Sequence, residues 1–181
     1  GPICIDATSF TVSETGVEAT SWAWTSDGAA TITAVGSQTP TITGGVNGET
    51  FTVTGTDANS CVNTAQTTIV INPLPVVTAT NSGPVCIDAA SFTVSETGAA
   101  ATSWAWTSDG AATITANTDQ IPTITGGVNG EIFTVTATDA NGCVNTATTT
   151  IVINPLPVVT ATNDGPICAG TPVTLDETGG A

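Results

Sequence analysis

Five cysteines, fifteen carboxylates and four tryptophans are the side chains of this 181-residue chain that could do chemistry. No Lys, Arg, His, Met or Tyr accompanies them. The missing bases exclude the usual general bases, Schiff-base lysines and catalytic triads. Paired carboxylates alone can cleave a glycosidic bond. Here they fall in turns or on solvent-facing strand positions of a repeat too small for a deep pocket, so no enzyme is expected. A net charge of −15 with no cation to meet phosphate disfavours nucleic acid and anionic membrane as partners.

The cysteines stand at Cys4, Cys61, Cys86, Cys143 and Cys168. No CxxC pair occurs, and without His a zinc site has no ligand set. The spacing predicts one disulfide within each repeat, Cys4–Cys61 and Cys86–Cys143, with Cys168 paired to a cysteine outside the chain. Free buried thiols are the alternative. A bridge over so long a loop stabilises by about 4 kcal/mol on chain-entropy grounds, and it implies an oxidising, extracellular setting.

Trp22 and Trp24, like Trp104 and Trp106, lie two apart and share one face of a strand. Such rings pack into a sandwich core; exposed, they would stack on the sugars of a polysaccharide. Asp57 and Asn59, with Asp139 and Asn141, sit in an Asx-rich turn, and Asp27 and Asp109 precede Gly in another. Oxygen-only sets suit Ca²⁺, making these weak candidates for a cation, but Asx residues also build turns with no metal. No other metal or cofactor is expected. Rows of Thr-X-Thr at residues 31–33, 41–43 and 52–54 would suit an ice-binding face, but Thr is also the ordinary outward residue of a sandwich strand.

These residues recur because the chain repeats itself. Residues 1–82 and 83–164 align without a gap and differ at 13 positions, and residues 165–181 open a third copy. A period of 82 is too long for a solenoid and suits a small domain strung in tandem. Near-identical copies in a row serve a stalk, a filament or a multivalent binder.

The elements that must hold these side chains read as β throughout. Period-two alternation marks residues 9–13, 20–25, 31–33, 41–43, 51–54 and 68–71. Turn signals separate them at Thr15-Gly16, Ser26-Asp27-Gly28, Gly44-Gly45, Asn47-Gly48 and Asp57-Ala58-Asn59. Six or seven short strands at this spacing predict a two-sheet sandwich. No run of 18 apolar residues exists to span a membrane as a helix. The chain opens in mid-repeat, as an excerpt or mature piece of a longer chain would.

Domain boundaries fall at Asn72-Pro73-Leu74-Pro75 and Asn154-Pro155-Leu156-Pro157, where paired prolines favour a stiff, extended connection. The predicted domains are 1–72, lacking a first strand; 73–154, complete; and 155–181, the start of a third. The run Val76-Val77-Thr78-Ala79-Thr80 supplies the first strand of the second domain. The first domain is expected to receive an equivalent strand from a neighbouring copy, covalently linked or donated by another subunit's residues 158–162.

Phe133-Thr134-Val135-Thr136-Ala137-Thr138-Asp139-Ala140-Asn141-Gly142-Cys143 resembles the late-strand signature of PKD-like and immunoglobulin-like repeats in giant surface adhesins of Bacteroidetes. Trp104-Ala105-Trp106-Thr107-Ser108-Asp109-Gly110 is similar to their third strand and turn, although standard PKD domains carry an aromatic-Gly-Asp-Gly motif there. The Pro-Leu-Pro-Val-Val linker is similar too. The resemblance implies tandem all-β sandwiches, secretion to the cell surface, often by the type IX route, and roles in adhesion or gliding motility.

Overall fold

The computed structural model describes residues 2–163, 165–166 and 168–177. Gly1 and parts of the expected third copy, residues 164, 167 and 178–181, lie outside the described residues. The fold is all-β, with immunoglobulin-like sandwiches and no helix among the described residues. Two compact units divide the chain. The first takes residues 1–78, 97–104 and 136–147; the second takes 79–96, 105–135 and 148–181.

In the first repeat the strands are β1 (Ile3–Cys4), β2 (Phe10–Thr11), β3 (Ala19–Ser26), β4 (Thr31–Thr33), β5 (Thr41–Thr43), β6 (Thr50–Asp57), β7 (Val62–Thr68) and β8 (Ile71–Asn72). One sheet has the order β2-β5-β4, the other β3-β6-β7, and β1 pairs in parallel with β8. Alternation does the sorting: Val12, Trp24, Ile42, Phe51, Val53 and Ile69 turn inward and form one buried cluster. Phe10 and Phe51 meet edge to face at 6.1 Å.

From residue 79 onward follow β9 (Ala79–Asn81), β10 (Val85–Cys86), β11 (Phe92–Glu96), β12 (Ala101–Ser108), β13 (Thr113–Thr115), β14 (Thr123–Thr125), β15 (Ile132–Asp139), β16 (Val144–Thr150), β17 (Ile153–Asn154), β18 (Ala161–Asn163) and β19 (Leu175–Glu177). The orders are β13-β14-β11-β9 and β12-β15-β16. Phe92, Val94, Trp106, Ile124, Phe133, Val135 and Ile151 are buried, with Phe92 against Phe133 at 5.7 Å. The four-stranded sheet has one strand more than its counterpart in the first repeat: β9, from the run expected to be a first strand. β18 and β19 repeat the β9–β11 pairing, Ala161 opposite Glu177 as Ala79 is opposite Glu96.

Two expectations need correction. Residues 68–71 are not one strand; Thr68 closes β7, and β8 starts at Ile71. The polar run of β7 is the longer element, held by backbone pairing to β6 from Thr50–Thr68 to Thr56–Val62.

The cysteine pairing also differs. Cys4 is bonded to Cys143, within the first compact unit, and Cys61 and Cys86 are exposed free thiols. The geometry forbids the expected Cys4–Cys61 bridge. Cys4 pairs with Asn72 at the end of β8, and Cys61 lies at the start of β7. At roughly 3.3 Å per residue, a strand of that length separates them well beyond the roughly 7 Å that a disulfide tolerates between Cα atoms. The same argument separates Cys86, opposite Asn154, from Cys143 at the head of β16.

Candidate functional site

Two buried carboxylates, Glu49 and Glu131, tie turns to the strands behind them. Glu49 is buried; its Oε1 accepts from the Ser26 hydroxyl (2.6 Å) and Ala30 N–H (3.0 Å), and its Oε2 from Val46 N–H (3.0 Å). Glu131 repeats this with Ser108, Ala112 and Val128 at 2.7, 3.0 and 3.0 Å. Burial pushes each carboxyl up, but the converging donors outweigh it and hold both below the ordinary carboxylate value. Gly28 and Gly110 make room, since a methyl at either would collide with the neighbouring carboxyl.

The Asx turns are equally committed. Asp57 Oδ1 accepts from the N–H groups of Asn59 and Cys61, both at 2.8 Å, and Asp139 Oδ1 from those of Asn141 and Cys143 at 2.8 and 2.9 Å. Donation from Cys61, first, and from Asn59 holds Asp57 below its ordinary value against a weaker desolvation. Among the described residues no three carboxylate or thiol side chains gather as a metal-ligand group. Asp27 Oδ1 caps Thr50 N–H and Asp109 Oδ1 caps Ile132 N–H.

The tryptophans divide by position. Trp24 and Trp106 are 4% and 1% exposed, and their indole N–H groups donate to the carbonyls of Ser37 and Asp119. No ring face is left for a sugar, so the stacking expectation fails for these two. Trp22 and Trp104 are half-buried; Trp22 packs on the core and donates to Glu14 Oε2 at 3.1 Å.

The feature that sequence reasoning placed only in outline is a groove in the first unit, between the β2 edge and β7. Three clefts share linings and run together. The first, of 310 Å³, is lined by Glu14, Val17, Val53, Cys61 and Asn63. The next, of 220 Å³, is lined by Ser13, Thr15, Trp24, Ala65 and Thr67, and the last, of 500 Å³, by Ile3, Val12, Thr67, Thr68 and Ile69.

In the second repeat the corresponding positions are engaged. Asn145 Nδ2 donates to Pro75 O at 3.0 Å, and Val76 and Ala99 exchange both backbone bonds. Thr97 N–H donates to Thr78 O at 2.9 Å. Asn81 Nδ2 donates to Thr149 Oγ1 and Thr150 O at 2.6 and 3.0 Å. One repeat earlier, the positions of Asn145, Ala99, Thr97, Thr149 and Thr150 are Asn63, Val17, Thr15, Thr67 and Thr68, and all five line the groove. Residues 75–81 of the second repeat therefore fill the place that is open in the first.

The chain is similar in fold to several solved structures. Fibronectin(III)-like modules of Clostridium thermocellum CbhA share 12% identity at a TM-score of 0.44, over 86% of this chain and 90% of that one. Murine CEACAM1b shares 13% at 0.38, over 86% and 96%. The Bacteroides ovatus protein SGBP-B of a mixed-linkage glucan utilization locus, solved with a mixed-linkage heptasaccharide, shares 15% at 0.33, over 83% and 42%. No family profile matches the chain, and no curated protein matches its sequence.

Proposed function

We propose that the chain is a segment of an extracellular stalk or filament, built head to tail from tandem sandwiches. In this reading each open edge is completed by the first-strand segment of the preceding copy. The observation that supports it is the match between the groove and the positions that residues 75–81 engage in the same repeat, 82 positions on. An unfilled edge would leave backbone donors and acceptors without partners and invite uncontrolled pairing. The equivalent segment, residues 157–163, lies in the uncharged stretch 154–163; with Ala161–Asn163 released from β19, it would meet Glu14, Glu18 and Asp57 at the groove without repulsion.

The setting fits this work. A disulfide belongs to an oxidising compartment, and a chain without Lys or Arg offers no trypsin-type cleavage site. Such a segment would span distance and present an adhesive domain at the surface of the cell that secretes it. The resemblance to Bacteroidetes adhesin repeats supports a role in adhesion or gliding motility. A polysaccharide-binding reading would rest on Trp22 and Trp104, the two half-buried rings.

A synthetic peptide with the sequence of residues 154–163 tests the reading. Added to the chain carrying C61S, C86S and C168S, with Cys4–Cys143 closed, it should bind saturably and raise the melting temperature of the first unit, whereas a scrambled peptide should not. Absence of binding at millimolar peptide would contradict the proposal.

A further inference from the structure

The cysteine pattern carries the assembly further. The Cys4–Cys143 bond closes over a linker. Cys4 lies opposite Asn72, with Ile5 N–H donating to Asn72 O at 2.9 Å. Three residues on, fully buried Pro75 accepts from Asn145, two residues past Cys143. Each half of this joint recurs once elsewhere, shifted by one repeat. Cys86 lies opposite Asn154, with Ile87 N–H donating to Asn154 O at 2.9 Å, but Cys86 and the following Pro155, Leu156 and Pro157 are exposed. Cys61 is held by Asp57 as Cys143 is by Asp139, and it lines the 310 Å³ cleft together with Asn63, the counterpart of Asn145.

We propose that Cys86 of one copy and Cys61 of the next are the two halves of a second staple of the same kind, so that every joint is locked by a disulfide. This rests on the head-to-tail reading above. Two thiols and one low-molecular-weight disulfide give the Cys86–Cys61 bond and two small thiols. The thiolate of one cysteine attacks the small disulfide and releases the first small thiol. The other cysteine's thiolate then attacks the mixed disulfide and releases the second. The small disulfide takes up both electrons, and the two cysteine protons end on the released thiols.

The test uses the 181-residue chain carrying C168S, which removes the third exposed thiol. The protein is oxidised in glutathione buffer and mapped without reduction. The Cys4–Cys143 peptide confirms folding in every variant. The expected result is a reductant-sensitive ladder in which the Cys61–Cys86 peptide dominates. Adding C61S or C86S should leave monomers, and mixing those two variants should give dimers and nothing larger. Unpaired Cys61, or Cys86–Cys86 dimers as the main product, would overturn the proposal. Sedimentation of the chain carrying C61S, C86S and C168S, in which Cys4–Cys143 stays closed, separates the failures. Association without the Cys61–Cys86 bond removes the staple and leaves the head-to-tail reading; no association removes that reading as well.

Discussion

At the residue scale the chain relies on a few buried acceptors. Glu49 and Glu131 each tie a turn to the strand behind it, and their lowered pKa makes the fold acid-sensitive. A carboxylate whose folded pKa lies below its unfolded value of 4.5 contributes fully above that value. That contribution is lost as pH falls through the folded pKa. The melting temperature should therefore hold from pH 7 to about 5 and drop below about 4. Glu131→Ala should flatten this acid limb and cost about 1–3 kcal/mol at neutral pH by leaving buried donors unmet. An unchanged acid limb in a folded variant would refute the assignment. None of this was legible in the sequence: Glu49 and Glu131 sit in ordinary turn sequences, and only the folded chain brings Ser26 or Ser108 to them. The tryptophan period was legible, since a spacing of two fixes a shared face; that Trp24 and Trp106 lie deeper than Trp22 and Trp104 depends on which end of the strand crosses the core.

At the scale of elements, alternation placed most strands. Residues 31–33 and 41–43 stand as read, because Thr-Ile-Thr has one inward position. β7 was missed because a polar run carries no apolar alternation, and its pairing with β6 is a backbone matter. The run from Val76 was legible as a strand of the second repeat, and its end, β9, pairs with β11. Its effect shows in strand length: β11 runs over five residues and β2 over two. Hydrogen exchange should register the difference. Thr97 N–H, bonded to Thr78 O, should be protected, and Thr15 N–H should exchange much faster. The 154–163 peptide should slow Thr15 and leave Thr97 unchanged. Equal protection without peptide would mean that the edge is already covered.

At the scale of the whole molecule, two copies are joined by a covalent bond that spacing alone pointed elsewhere. Equal cysteine spacing within each repeat fits an internal bridge and a bridge between repeats equally well. Strand direction decides, because β7 carries the chain away from Cys61 before β8 meets Cys4. Cys143→Ser should destabilise the chain by about 2–5 kcal/mol, read by denaturant unfolding, whereas Cys61→Ser should leave the monomer within about 0.5 kcal/mol. Comparable losses in both would contradict the pairing. The net charge of −15 opposes association at long range, so assembly should strengthen as salt rises from 20 to roughly 150 mM.

The most direct test of head-to-tail completion is sedimentation velocity of the chain carrying C61S, C86S and C168S, with Cys4–Cys143 closed, over a range of concentrations and with and without the 154–163 peptide. The account predicts oligomers that grow with concentration and collapse to monomer when the peptide saturates the groove. A chain that stays monomeric throughout, or oligomers that ignore the peptide, would contradict it.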